Sequence, residues 1–244
     1  MGERLNLVPL RSQEMGLFLD VDGTLLDLAR HPDAVEVPPA LVDALAAAEQ
    51  RLDGALALVS GRPIAALDRL FAPLKLSASG VHGAEFRSAD GAVRTGPRIP
   101  DAVWEELVRL LDRFPDTFAE DKRSSFAVHY RPARCSVSDL AAAVARLIAN
   151  FAKCGLQLTE GHLVFEIQLL GFDKGTAIER FMTTAPFLDR RPVFIADDPM
   201  DRAGFDAVLA RGGLAFSVGC ELPGLSGSFP HPAAVRAWLG RLGE

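Results

Sequence analysis

Phe18-Leu19-Asp20-Val21-Asp22-Gly23-Thr24-Leu25 is a short apolar run that ends in two carboxylates, a glycine and a threonine. Leu17, Phe18, Leu19 and Val21 read as a strand covered on both faces, because a parallel strand under helices is apolar continuously and not alternately. Asp20 then sits where the strand runs out. Open α/β sheets bind ligands beyond the carboxyl ends of their strands, so two acids and a turn glycine there are placed for chemistry. The plainer alternative is a capping pair with a turn glycine. An EF-hand loop starting at Asp20 would need an acid or amide at Thr24, glycine at Leu25 and glutamate at His31, and none is present.

Working outward, Ala55 to Val59 is a second continuous apolar strand, ended by Ser60-Gly61-Arg62. Pro63 suits the first position of the next helix, which leaves Ser60 and nearby backbone N–H groups at the carboxyl edge, able to receive an oxyanion or simply to cap. Leu76 to Ser79 reads as a third strand leading to Gly80-Val81-His82-Gly83-Ala84-Glu85, whose glycines suggest close backbone approach. His82 is a candidate substrate contact, although a lone histidine is more often a structural hydrogen-bonder. Residues 85–95 suggest a hairpin around Asp90-Gly91. Between the first two strands, Pro38-Pro39 starts a helix to about Gln50 with Leu41, Leu45 and Ala48 on one face.

The pattern changes near Arg98. A helix from Asp101 to Phe114 precedes strands at Thr117 to Asp121 and Ser125 to Tyr130; a helix from Ser138 to Ala152 precedes strands at Leu156 to Glu160 and Leu163 to Gln168. This α-β-β-α-β-β order makes 99–171 an inserted α+β cap domain, with 1–98 and 172–244 forming the core. An insertion at a carboxyl-edge loop would act as a lid. The first pattern returns with Asp173-Lys174-Gly175-Thr176-Ala177 opening a helix through Phe181. A strand from Pro192 to Ala196 ends in Asp197-Asp198, followed by a helix at Arg202 to Ala210, a strand at Leu214 to Val218 and a helix at Pro232 to Leu242. Residues 222–232, rich in Gly, Pro and Ser, read as a loop. The expected architecture is α/β: a doubly wound parallel-sheet, Rossmann-like core with the α+β cap inserted.

Composition narrows the partners. At 244 residues, 49% apolar and 24% charged, the chain can bury one large or two unequal cores. A net charge of -6 argues against a nucleic-acid or anionic-membrane surface, so an anionic substrate must be held by local charge or by a metal. Cys135, Cys154 and Cys220 form no C-x-x-C pair and suggest neither a disulfide framework nor a zinc site. Residues 1–15 lack the long apolar core of a signal peptide, and no stretch reaches membrane-spanning length, so a cytoplasmic protein is expected.

Asp20, Ser60 and Asp197 each follow an apolar strand, and Lys174 opens a helix of the same layer. Chemically the set is complete: Asp20 as carboxylate nucleophile, Asp22 as proton donor then acceptor, Lys174 and Ser60 holding phosphoryl oxygens, and acids to bind Mg2+. Carboxylates held close together repel unless a hard cation neutralises them, and Mg2+ takes oxygen ligands while keeping several waters.

These residues resemble the haloacid dehalogenase-like phosphatase superfamily, through Asp20-Val21-Asp22-Gly23-Thr24, Ser60, Lys174-Gly175 and Asp197-Asp198. More narrowly they resemble trehalose-6-phosphate phosphatases, through Ser60-Gly61-Arg62, Gly80 to Glu85, Glu120-Asp121-Lys122 with His129-Tyr130-Arg131, and Lys174 to Ala177. The resemblance implies that Asp20 is phosphorylated, that Asp22 is the acid/base, and that Asp20, Asp22 through its carbonyl, and Asp197 with Asp198 beside it hold Mg2+. It further implies substrate contacts at Gly61, Arg62, His82 and Glu85 and, from the cap, at Glu120, Lys122, His129, Arg131 and Glu166. Ala196, Met200 and Arg202 replace the glycine, threonine and glutamate of that family's last motif, and Gln168 and Leu169 stand where it commonly has Arg and Pro. The expectation is a monomeric Mg2+-dependent phosphatase acting on a small-molecule sugar phosphate, trehalose 6-phosphate, with no nucleic-acid or membrane partner. Sucrose 6-phosphate, mannosyl-3-phosphoglycerate and a catalytically silent regulatory role remain as alternatives.

Overall fold

The continuous apolar runs become buried parallel strands in a computed structural model that describes residues 14–29, 34–130, 136–161, 163–198 and 201–242. Two compact units divide the chain between Arg94 and Thr95 and again between Phe172 and Asp173, a few residues outside the expected cap boundaries of 99 and 171.

The first unit opens with β1 (Met15–Leu19), α1 (Pro39–Arg51), β2 (Leu56–Val59), α2 (Ile64–Leu70), β3 (Ser77–Gly80), β4 (Glu85–Arg87) and β5 (Val93–Thr95). In the second unit follow α3 (Asp101–Leu111), β6 (Phe118–Asp121), β7 (Ser125–His129), α4 (Val137–Asn150), β8 (Leu156–Gly161) and β9 (Val164–Leu169). The chain then returns to the first unit with α5 (Lys174–Phe181), β10 (Arg191–Ala196), α6 (Arg202–Ala210), β11 (Leu214–Val218), β12 (Gly227–Phe229) and α7 (Pro232–Leu242).

The large sheet runs β12-β11-β10-β1-β2-β3-β4-β5. β1 lies at its centre, every residue buried, paired in parallel with β10 on one side and β2 on the other. From β1 the chain moves outward through β2 and β3, and it later returns on the opposite side through β10, β11 and β12. The order therefore reverses at β1, where a doubly wound sheet leaves a crevice at the carboxyl ends. β4 reverses direction against β3 and continues through the expected Asp90-Gly91 turn, with Asp90 accepting from Ala92 N–H at 3.0 Å. Phe181 anchors α5 to the sheet, its ring centroid 5.8 Å from Phe18, 4.2 Å from Phe86 and 5.1 Å from Phe187.

The second unit is a four-stranded antiparallel sheet ordered β6-β7-β9-β8. Phe126, Val128, Phe165 and Ile167 project from it onto Val103, Leu107, Leu140 and Val144 of the two helices. Alternation along the strands leaves the opposite face to polar side chains.

Four local expectations shift. Val21 lies beyond β1, its carbonyl accepting from Leu25 and Leu26 N–H at 2.9 Å, because the chain turns as soon as Asp20 has passed. Pro63 is the N-cap of α2 rather than its first helical residue. α3 ends at Leu111, three residues early, since Arg113 and Phe114 close short turns onto Leu110 and Leu111. The segment 222–232 is not wholly loop: Gly227 to Phe229 adds a parallel edge strand beside β11, with Phe229 buried. Among the described residues no helix is long and apolar enough to cross a membrane.

Because Phe181 is fully buried among three other rings, Phe181→Ala is expected to cost about 3–5 kcal/mol. Urea unfolding followed by circular dichroism measures this; a cost below about 1 kcal/mol would mean that the cluster does not anchor α5.

Candidate active site

Parallel register brings three strand ends side by side. Leu19 lies opposite Ile195 and Leu58, so Asp20, Asp197 and Ser60 leave adjacent strands at one edge. Asp20 N–H still donates to the Ile195 carbonyl at 3.0 Å, which fixes the backbone from which its side chain projects.

Lys174 arrives from α5. Asp173 caps that helix by accepting from Thr176 N–H at 2.7 Å, while the Thr176 hydroxyl accepts from Asp173 N–H at 3.1 Å. Gly175 lets α6 come close, since a Cβ there would stand 2.5 Å from the Ala203 carbonyl. The close packing of α5 on α6 sets Lys174 Nζ 3.0 Å from Asp20 Oδ1 and 2.8 Å from Asp201 Oδ1. All three side chains are buried.

Among the described residues, Asp20, Asp197 and Asp201 form a group whose carboxylate oxygens lie within 4.8 Å of one another. Burial raises the Asp20 carboxyl well above the ordinary range, opposed by Lys174 and reinforced by Asp201 and Asp197. Burial likewise pushes Asp197 up to about 6, with Lys174 opposing and Asp201 and Asp198 adding repulsion. For Lys174, burial favours the neutral amine, but Asp20 and Asp201 outweigh it and hold the ammonium far above its usual value. One ammonium against three acids leaves negative charge to be met, and an all-oxygen donor set suits a hard divalent cation. Gly23 makes room for the Asp197 carboxylate: at φ +72° it carries no Cβ, and one there would fall on that group. Thr24, fully buried, reaches Asp197 Oδ1 at 3.4 Å.

The other expected residues divide into groups. Asp22 does not turn its carboxylate toward the acidic group; Arg62 grips it bidentately, Nε and Nη2 each at 2.7 Å. Asp198 is not among the three clustered acids, although its carbonyl accepts from Asp201 N–H at 2.9 Å. Ser60 Oγ accepts from Arg62 N–H at 3.2 Å, so the plainer turn-capping role is present alongside its place at the carboxyl edge. The His82 backbone is left-handed, at φ +52°, with its N–H donating to the Ser60 carbonyl at 3.1 Å and its ring against Gly61. Glu85 is committed to its own chain: Oε2 accepts from Ile64 N–H at 2.6 Å and caps α2 in place of the proline before it. Glu120, Lys122, His129 and Glu166 belong to the second unit. There Lys122 Nζ lies 2.8 Å from Glu166 and His129 Nε2 lies 3.5 Å from Glu120. The long contact with His129 holds the Glu120 carboxyl below its ordinary value against the opposing effect of burial. Arg131 lies outside the described residues.

Asp201 was missed from sequence. Asp197 directly follows β10 and Asp201 is the N-cap of α6, and the turn in which Asp201 N–H donates to the Asp198 carbonyl carries the chain from one to the other. The available signal was the family's last motif, in which Asp201 is the acid retained between Met200 and Arg202.

Residues 18–224 match the sequence model of a family described as trehalose-phosphatase. The trehalose-6-phosphate phosphatase of Escherichia coli K12 is 36% identical over 98% of this chain and 90% of its own length. A probable trehalose-phosphate phosphatase of Sinorhizobium fredii NGR234 is 38% identical over 93% of this chain and 86% of its own. The C-terminal domain of the Candida albicans trehalose-6-phosphate phosphatase superposes with TM-score 0.79 at 16% identity, over 95% of this chain and 92% of that one. A haloalkanoate-superfamily phosphatase from Bacteroides thetaiotaomicron gives 0.62, also at 16%, over 98% and 99%. At such identity these two are likenesses of fold.

Unfolded, Asp197 loses its proton near 3.8; folded and metal-free, it keeps the proton to about 6. The folded state therefore binds more protons across this window, and stability falls as pH rises through it and stays lower above. Asp197→Asn is expected to raise the metal-free melting temperature by a few degrees at pH 7 and hardly at pH 4. Mg2+ should stabilise the wild type at pH 7 and not the variant. Equal Mg2+ responses in calorimetry would remove Asp197 from the metal set.

Proposed function

The chain belongs to the trehalose-phosphatase family and is a phosphatase, and we propose that it hydrolyses trehalose 6-phosphate to trehalose and phosphate through an aspartyl-phosphate intermediate. The observation that carries this proposal is the buried Asp20 carboxylate at the end of β1, 3.0 Å from Lys174 and grouped with two further acids.

Asp20 is the nucleophile. Its carboxylate oxygen attacks phosphorus, the bond to the sugar oxygen breaks, and the departing oxygen takes a proton from Asp22. Water then attacks the aspartyl phosphate, Asp22 takes the proton from that water, and the phosphorus–Asp20 bond breaks to regenerate the carboxylate. Lys174 and Ser60 hold phosphoryl oxygens, so negative charge moving onto those oxygens meets groups already in place. Asp20, Asp197 and Asp201 are the carboxylates that would hold Mg2+, to which the resemblance adds the Asp22 carbonyl; Mg2+ would supply charge neutralisation at the phosphoryl group. Arg62 orients Asp22 rather than the sugar, which fits its bidentate grip. In the second unit, Glu120, Lys122, His129 and Glu166, with Arg131, are the proposed sugar contacts, since hydroxyl groups pair well with carboxylates and cations.

Asp20→Asn should fold normally, by circular dichroism, yet release no phosphate; near-native activity in the folded variant would end the covalent mechanism. Asp22→Asn should slow single-turnover phosphorylation of Asp20 more for trehalose 6-phosphate than for p-nitrophenyl phosphate, whose leaving group needs little acid help. Equal losses would make Asp22 structural only. Glu120→Ala and Glu166→Ala should each lower the ratio of kcat/KM for trehalose 6-phosphate over p-nitrophenyl phosphate by at least about tenfold, the effect of one charge-assisted hydrogen bond. An unchanged ratio would remove that residue from the sugar contacts.

A further inference from the structure

We propose that Arg236, on α7, is a positioning residue for Asp22: it anchors the returning limb of the loop that carries Asp22 and so sets where that carboxylate stands relative to the departing oxygen. The inference rests on the reading that Asp22 gives its proton to the leaving group, and it names a residue outside every motif and every role assigned above.

Asp22 sits on a loop that closes on itself. The Val21 carbonyl accepts from Leu25 and Leu26 N–H at 2.9 Å, and Gly23 N–H donates to the Leu26 carbonyl at 2.8 Å. Asp22 and Leu26 pair as a short bridge across the loop. One limb is therefore continuous with β1, and the other runs through Leu25 and Leu26 to Asp27. The outgoing limb is held by the sheet. The returning limb heads for the surface, where Asp27 and Leu28 are exposed.

Arg236 gives that second limb a fixed point. Its guanidinium donates from Nη1 to the Leu25 carbonyl at 2.9 Å and from Nη2 to Asp27 Oδ2 at 3.1 Å, so it brackets Leu26. The helix that presents it is itself anchored, because Val235 and Leu239 are fully buried in the core and Trp238 packs against it. Of the two contacts, the carbonyl carries the effect. The Asp27 side chain is 70% exposed, and an ion pair in such a place contributes little. Leu25 is fully buried, where a backbone carbonyl needs a partner. Asp27 thus orients the guanidinium, and Leu25 receives it.

Such an anchor matters for an acid more than for the fold. Arg62 fixes the direction of the Asp22 carboxylate at its tip, but a carboxylate held there still moves with its backbone. Misplacement of a reacting group by about 1 Å can cost on the order of a hundredfold in rate. The cost falls on the step that needs the proton, and it grows as the leaving group becomes poorer. General loosening of the protein would slow good and poor leaving groups alike.

The test measures single-turnover phosphorylation of the Mg2+-loaded protein by phenyl phosphate, a poor leaving group, and by p-nitrophenyl phosphate, a good one. The ratio of the two rates does not depend on how much of a sample is folded. Arg236→Ala should lower that ratio about fivefold or more, with half-saturating concentrations within about twofold of wild type. Arg236→Lys keeps an N–H donor for the Leu25 carbonyl and should bring the ratio back to within about twofold. In an Asp22→Asn background, where no proton remains to be placed, Arg236→Ala should leave the ratio unchanged. The proposal is overturned if Arg236→Ala leaves the wild-type ratio unchanged, if lysine serves no better than alanine, or if alanine lowers the ratio as much without Asp22 as with it. If Asp22→Asn by itself does not lower the ratio, the acid reading falls and takes the proposal with it. If it does and Arg236→Ala does not, the proposal falls alone.

Discussion

Everything at the carboxyl edge of the large sheet depends on one buried ammonium. Lys174 lies within 3.0 Å of Asp20 and 2.8 Å of Asp201, all three nearly excluded from water. Burying so much charge costs several kcal/mol per ion unless each charge is paired and hydrogen-bonded. One lysine cannot balance the three acids gathered there. The remaining repulsion appears in the raised Asp20 and Asp197 carboxyls, both driven first by burial. A stability-optimised core would not keep such a group, and its survival points to use.

Holding that group together takes a scaffold more exact than the chemistry alone suggests. Asp20 and Asp197 are fixed by β1 and β10 in register, while Lys174 and Asp201 come from the starts of α5 and α6, which approach closely only because Gly175 has no side chain. Gly23 makes an equivalent allowance for Asp197 on the turn after β1. Two motif glycines thus act by absence, each leaving the space that a carboxylate or a neighbouring helix occupies.

Most of the fold was legible because burial writes itself into sequence: the runs at 17–19, 55–59 and 192–196 are apolar on every residue and became β1, β2 and β10. Legibility failed where burial is partial or partners are distant. β12 hides in a Gly- and Ser-rich segment and forms because one edge of β11 was open beside it. Strand ends marked Asp20, Ser60 and Asp197 as neighbours, yet nothing local showed that Arg62 would clasp Asp22 or that Glu85 would spend its carboxylate capping α2. Those are contacts across 40 and 21 residues, decided by packing. Asp201 was legible in principle, as the acid retained between Met200 and Arg202 in the family's last motif.

Of the positions where this chain departs from the trehalose-6-phosphate phosphatase pattern, Met200 lies outside the described residues, while Ala196 and Arg202 are accommodated by the structure around them. Ala196 is a regular, fully buried strand residue in register with Ser217, so a methyl group replaces glycine without disturbing the turn that carries Asp197. Arg202 points to solvent on the first turn of α6 and pairs with Asp206 at 2.8 Å, leaving Asp201 to Lys174. Neither change alters the acids or the lysine. Gln168 differs in kind: it is buried, two residues beyond Glu166 on the same sheet face, and paired in register with Ser125 and Gln157. A neutral amide there, where the family commonly has a guanidinium, removes a positive charge from the face that carries Glu120 and Glu166, on which Lys122 pairs with Glu166. Arg202 and Gln168 both change charge relative to the pattern, yet only Gln168 lies on the face proposed to hold the sugar, where a change of substrate preference would first be felt.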